Sequence, residues 1–107
     1  MTLKDLSSVV DAEHGFIIVG AEWCKLCKEI QPILDDLMEL TQELPSNYIA
    51  WEEINVDLNS VNYPFLQCII YYPEIIEIFQ GTEIRRYGAD EIDQLKQYIY
   101  WLRDNYQ

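Results

Sequence analysis

The sequence predicts an α/β fold: a central mixed four-stranded sheet with helices on both faces and a helix ahead of the first strand. Three patterns carry that prediction. A short, β-branched apolar run at Phe16–Val19 is followed by a long helical pattern and then by an alternating segment, which together make a βαβ unit. Two further strand patterns are separated only by Gln80-Gly81, as in a hairpin. An amphipathic pattern closes the chain. The element order α-β-α-β-α-β-β-α leaves both sheet faces to be covered by helices.

Each element follows from its residues. Leu3, Leu6, Val9 and Val10 share one helical face behind Thr2 as N-cap, so the first dozen residues read as a helix. His14 and Gly15 form a loop before Phe16-Ile17-Ile18-Val19, a strand buried on both faces. From Lys25 to Glu43, Ile30, Ile33, Leu34, Leu37, Leu40 and Leu44 line one side of a helix, with Glu29, Asp35, Asp36 and Glu39 outside and Pro32 predicted to kink it. Pro45-Ser46-Asn47 is a turn. Tyr48–Asp57, with Ile49, Trp51, Ile54 and Val56, is the second strand, and Trp51 is a core residue. Asn59–Gln67 reads as a short helix interrupted at Pro64. Glu74–Phe79 and Thr82–Tyr87 are the hairpin strands. Asp90 caps the last helix, whose buried stripe is Ile92, Leu95, Ile99 and Leu102. Tyr98, Tyr100, Trp101 and Tyr106 give that helix an aromatic coat, part core and part candidate partner surface.

Composition narrows the function. With 107 residues, no linker and no repeat, residues 1–107 read as one domain able to bury a core without a staple. Half the residues are apolar and Gly and Pro number four each, which excludes disordered and collagen-like chains. Charged residues interrupt every apolar run short of a membrane span. The charge of −12 repels phosphate backbones and anionic lipid, so neither nucleic acid nor membrane is an expected partner. The first residues lack the pattern of a signal peptide, which predicts a cytoplasmic protein. Three cysteines there do not make a disulfide framework.

Two of those cysteines carry the chemistry. Trp23-Cys24-Lys25-Leu26-Cys27-Lys28 lies where the first strand gives way to the long helix. Cys24 falls at the helix N-terminus, where unpaired N–H groups and the helix dipole favour a thiolate. Lys25 and Lys28 add positive charge beside it. A nucleophilic outer thiol with a resolving thiol three residues on meets the requirement for thiol–disulfide exchange. A structural zinc would need four ligands, and only Cys68 and His14 remain, far apart in sequence. A structural buried cysteine pair is the other reading. Cys68, beside Ile69-Ile70, reads as a small core hydrophobe.

The chain resembles the thioredoxin family. The matching residues are Ala21-Glu22-Trp23-Cys24, Cys27-Lys28, Gln31-Pro32-Ile33-Leu34-Asp35, Asn55-Val56-Asp57, Tyr72-Pro73, Gly81 and Gly88-Ala89, in that order from Phe16 nearly to the end. The resemblance implies a thioredoxin fold, with Cys24 attacking, Cys27 resolving and Pro73 cis and facing the sulfurs. It implies substrate contacts at Trp23, Tyr72, Pro73, Glu74 and Gly88, with the backbone at Tyr72 pairing to an extended substrate segment. It implies no cofactor beyond the Cys24–Cys27 disulfide, and regeneration by a flavin-containing thioredoxin reductase.

Four departures from the family pattern bear on behaviour. Lys25-Leu26 replaces Gly-Pro between the cysteines, which predicts a lowered Cys24 pKa and a less reducing potential than a typical thioredoxin. The family's buried aspartate and its lysine partner correspond to Ile18 and Glu53. Glu53 either supplies a base, activated by burial, or simply reaches solvent. Gly20 stands where tryptophan is frequent and opens one wall of the site. Glu74, with Glu22 nearby, places acids near the sulfurs and favours basic or neutral partner segments, the other reading being ordinary solvated carboxylates, which is preferred for Glu22.

The expected activity is reduction of protein disulfides by a monomeric enzyme. The alternatives are a glutathione-dependent, glutaredoxin-like reductase, with Gly88-Ala89-Asp90-Glu91 capping a carboxylate, and a redox-inert adaptor binding through the Gly20–Tyr72 groove or the last helix.

Overall fold

The computed structural model describes residues 6–56 and 72–106. The predicted helix Asn59–Gln67, Thr2 and Cys68 lie outside those residues. The described elements are α1 (Ser7–Asp11), β1 (His14–Gly20), α2 (Lys25–Thr41), β2 (Ile49–Asn55), β3 (Glu74–Phe79), β4 (Thr82–Tyr87), a 3₁₀ turn at Ala89–Glu91 and α3 (Ile92–Asp104). The strands form one mixed sheet in the order β2-β1-β3-β4. β1 runs parallel to β2 and antiparallel to β3, and β3–β4 is an antiparallel hairpin. This is the predicted fold class.

Alternation along β1 divides the core. Phe16 and Ile18 point to one face and pack with Ile30, Leu34 and Leu37 of α2 and Leu95, Ile99 and Leu102 of α3. Ile17 and Val19 point to the other and pack with Val9 and Ala12. β1 is therefore buried on both sides, as its unbroken apolar run predicts. The hairpin turns at Gln80 and Gly81, both with positive φ (49° and 86°), the backbone a two-residue primed turn requires.

Several expectations are corrected. The first helix begins at Ser7, with Leu6 at its N-cap position and no side-chain cap. Val9 and Ala12, both buried, dock it on the sheet. His14 is the first residue of β1 rather than a loop residue, buried among the rings of Tyr48 (5.4 Å) and Phe79 (5.2 Å). α2 spans Lys25–Thr41 with Pro32 inside it at an exposed position. Its buried stripe is Ile30, Leu34, Leu37 and Thr41, while Ile33 lies one position off that line and is exposed. β2 spans Ile49–Asn55, and Trp51 is half-buried, stacked on Phe16 with its indole N–H donating to Thr41 Oγ1 (3.0 Å). Asp90 does not cap the last helix. The Glu91 carboxylate instead accepts from the Gly88 amide (3.1 Å), and the turn Ala89–Glu91 leads into α3. The predicted stripe of α3 is buried as expected, and Trp101 stands outside it, 58% exposed.

Candidate active site

β1 ends at Gly20, and Ala21–Trp23 turn the chain into α2. Cys24 N–H donates to the Ala21 carbonyl (3.1 Å), closing the turn. Cys24 is the N-cap of α2, with extended backbone, and its Sγ accepts the Cys27 amide at 3.1 Å. The sulfur thus takes the place a serine or aspartate oxygen would hold, bonding the third amide of the helix. That amide and the helix dipole both favour negative charge on Cys24. Cys24 and Cys27 are joined as a disulfide, with Cα atoms 5.3 Å apart.

By whole-residue exposure the two cysteines do not follow the order of outer and inner thiol. Cys24 is 6% exposed, whereas Cys27 is only partly buried. Two features account for this. Cys24 folds inward onto the Cys27 amide as a cap. Gly20 has no side chain where a Cβ would stand 3.4 Å from Cys27 Sγ, so that position of β1 puts no side chain against the sulfur.

β3 brings the second half of the site. Val19 pairs with Glu74, so Tyr72 and Pro73 run alongside the segment that leads into the cysteines. The Tyr72–Pro73 bond is cis, as the resemblance implied, and Pro73 is buried. The rings of Trp23 and Tyr72 meet edge to face at 5.6 Å. Trp23 is 67% exposed and Leu26 43%, so apolar surface frames the disulfide. Glu74 is half-buried and engaged by Arg86 (3.9 Å), with its affinity for a proton raised by burial against the opposing pull of that guanidinium. Its charge is thus shared with Arg86 rather than offered wholly to a partner. Gly88 lies at the start of the turn before α3, tied to Glu91.

On the Cys27 side lies a cleft of about 320 Å³ lined by Ile18, Gly20, Cys27, Lys28, Gln31 and Glu53, among others. Ile18 and Glu53 are register partners on β1 and β2, but only Ile18 is buried. Glu53 is exposed and accepts from the Gln31 side-chain amide (2.8 Å), so the burial on which a relocated base depended is absent. Gln31 follows Cys27 by one helical turn, the spacing that could have placed it beside the sulfur. Lys25 and Lys28 are exposed, and Lys28 lines the cleft. Among the described residues, no group of three or more His, Cys, Asp or Glu is placed to hold a metal ion.

A polar group that the sequence did not single out lies under the sheet. Glu77 of β3 is 2% exposed, and Tyr87 donates to its Oε1 (3.2 Å). Burial, then the charge of Glu77, holds the Tyr87 hydroxyl up at about 12. Tyr98 is pushed up as well, by burial first and then by the nearby Glu77 carboxylate.

The comparisons with known proteins agree with this geometry. The thioredoxin family model matches residues 2–100. Among solved structures, a thioredoxin of Plasmodium falciparum is similar, with 21% identity, TM-score 0.71 and coverage of 89% of this chain and 87% of that one. Mitochondrial thioredoxin 3 of Saccharomyces cerevisiae gives 21% identity, TM-score 0.70 and coverage of 88% and 83%. Human ERp44 gives 20% identity and TM-score 0.73 over 95% of this chain but only 32% of its own length. At these identities the structural likeness shows the fold. No curated protein sequence matches the chain.

Proposed function

Because this chain belongs to the thioredoxin family, we propose that it is a protein-disulfide reductase working through Cys24 and Cys27. The observation that supports the reading most is the Cys24 sulfur at the N-cap of α2, bonded by the Cys27 amide and joined to the Cys27 sulfur. That position gives the pair the dithiol of a thiol–disulfide oxidoreductase, with one sulfur poised as a thiolate.

In the reduced protein the Cys24 thiolate attacks a substrate sulfur. The substrate S–S bond breaks, one substrate thiolate leaves, and a mixed disulfide forms on Cys24. Cys27, one helical turn away, gives up its proton to solvent and attacks Cys24 Sγ as a thiolate. The second substrate thiolate departs and the Cys24–Cys27 disulfide remains, two electrons having passed to the substrate. Exposed Trp23 and Leu26 offer apolar contact to the segment around the substrate disulfide. Family membership favours a flavin-containing thioredoxin reductase as the source of the two electrons that reset the pair.

An insulin reduction assay tests the proposal. Turnover driven by dithiothreitol well above the dithiothreitol-only rate is expected. Turnover only with glutathione and its reductase would replace the reading with a glutaredoxin-like one. No turnover with either would leave a thioredoxin-fold adaptor.

A further inference from the structure

We propose that Cys27 is a second reactive sulfur, open through its own cleft to low-molecular-weight aminothiols, which reduce the disulfide from that side. The inference rests on the oxidoreductase reading and adds a substrate class and an entry route to it. Three observations carry it. The cleft of about 320 Å³ touches Cys27 and not Cys24. Gly20 puts no side chain against that sulfur, where a Cβ would stand 3.4 Å away. Cys24 is 6% exposed and Cys27 only partly buried, so Cys27 is the more exposed residue of the pair.

Leaving-group chemistry points the same way. A thiolate attacking a disulfide expels the sulfur with the lower pKa more readily. Cys24, capped onto the Cys27 amide at 3.1 Å, is the better leaving group, so attack at Cys27 is the favoured direction. The incoming thiolate bonds to Cys27 Sγ, the S–S bond breaks, and its electron pair stays on Cys24. A second thiol molecule, as its thiolate, attacks the outer sulfur of the mixed disulfide. It leaves as a small symmetric disulfide and releases Cys27 as a thiolate. Two small thiols are thereby oxidised and the cysteine pair gains two electrons.

Size and charge select the reductant. The volume lies at the small end of ligand pockets, suited to a small molecule rather than a folded domain. Ile18, Ala21 and Ile54 give it apolar walls, while Glu22 and Glu53 at its lining outnumber Lys28. Within a chain of net charge −12, that lining attracts an ammonium-bearing thiol and repels an anionic one.

Two measurements test this. In the first, the oxidised protein is reduced with cysteamine, 2-mercaptoethanol or 3-mercaptopropionate at matched thiolate concentration and followed by Trp23 fluorescence. Cysteamine is expected to react about three- to tenfold faster than 3-mercaptopropionate at low ionic strength. Glu53→Lys, at an exposed position, is expected to bring the ratio close to one. In the second, the Cys24→Ser protein, which holds Cys27 in the same cleft, is treated with cystamine. Formation of the Cys27–cysteamine mixed disulfide is expected, slowed about tenfold or more by adding Gly20→Leu. A Cys27 thiol that reacts with cystamine only after denaturation overturns the proposal, as does a wild-type rate indifferent to thiol charge. Insulin turnover by the wild-type protein is read separately, so loss of the reductase reading and loss of this one are distinguishable.

Discussion

Replacing Gly15 by alanine tests how α1 is held on the sheet. Gly15 sits on β1 beneath the helix, and an added Cβ would stand 2.1 Å from the Val9 carbonyl oxygen, 2.8 Å from its carbon and 2.9 Å from Val9 Cβ. Two of those atoms are backbone, so no rotamer change relieves the clash, and the helix must retreat by about 1 Å to reach ordinary contact distance. A gap of that size forfeits a quarter to a half of the dispersion energy of the contacts it opens. Val9 is fully buried and Ala12 nearly so, and both lose packing as the helix lifts. Overpacking of about 1–3 kcal/mol, with part of the ~2 kcal/mol that burying a valine contributes, gives a destabilisation of about 2–4 kcal/mol. For a domain of this length, that lowers Tm by about 10–20 °C. Thermal and urea unfolding followed by circular dichroism measure it, with the urea slope unchanged. Insulin turnover at 25 °C should stay at the wild-type rate, because Gly15 lies at the far end of β1 from Cys24. A stability loss below about 0.5 kcal/mol would refute the close approach of helix and strand.

Three further outcomes follow from the site and its support. Lys25→Gln removes a cation from the first turn beside Cys24 and moves the pH dependence of its iodoacetamide alkylation to higher pH. The wild-type potential is correspondingly expected above the roughly −270 mV of thioredoxin, and an equal or more negative value counts against it. Tyr87, with a folded pKa of about 12 against 10.0 in its unperturbed state, contributes stability that is fully present below pH 10 and lost as pH rises from about 10 to 12. Urea midpoints across pH 9–12 should fall in that window, less steeply for Tyr87→Phe. Glu53→Gln should leave the pH profile of insulin turnover unshifted across pH 6–9, because Glu53 is exposed and tied to Gln31; a shift of a full unit would restore it as a base.

Much of the fold is legible because it rests on local rules. The hairpin strands are found where predicted, since a two-residue turn with positive φ at Gln80 and Gly81 pins both ends. The buried stripe of α3 follows from spacing alone. What local pattern misses is polar burial created by distant residues. His14 looks like loop chemistry until Tyr48 and Phe79 close around it, and Glu77 is met in the core by the Tyr87 hydroxyl from β4, which bonds one of its two carboxylate oxygens. The same limit applies at the site. The Cys-x-x-Cys spacing and its place before a helix identify the chemistry. Which sulfur is open depends on how β1 and β2 flank α2, through Gly20, Ile18 and Glu53, and that is a three-dimensional fact.

The central claim, that Cys24 attacks a protein disulfide and Cys27 resolves it, is tested most directly by trapping. Reduced Cys27→Ser protein is mixed with insulin, quenched with acid and mapped by mass spectrometry. The account predicts a persistent mixed disulfide on Cys24, because the residue that would displace the product is gone. Failure of Cys24 to form any adduct, while the fold and the free thiol are intact, would contradict it.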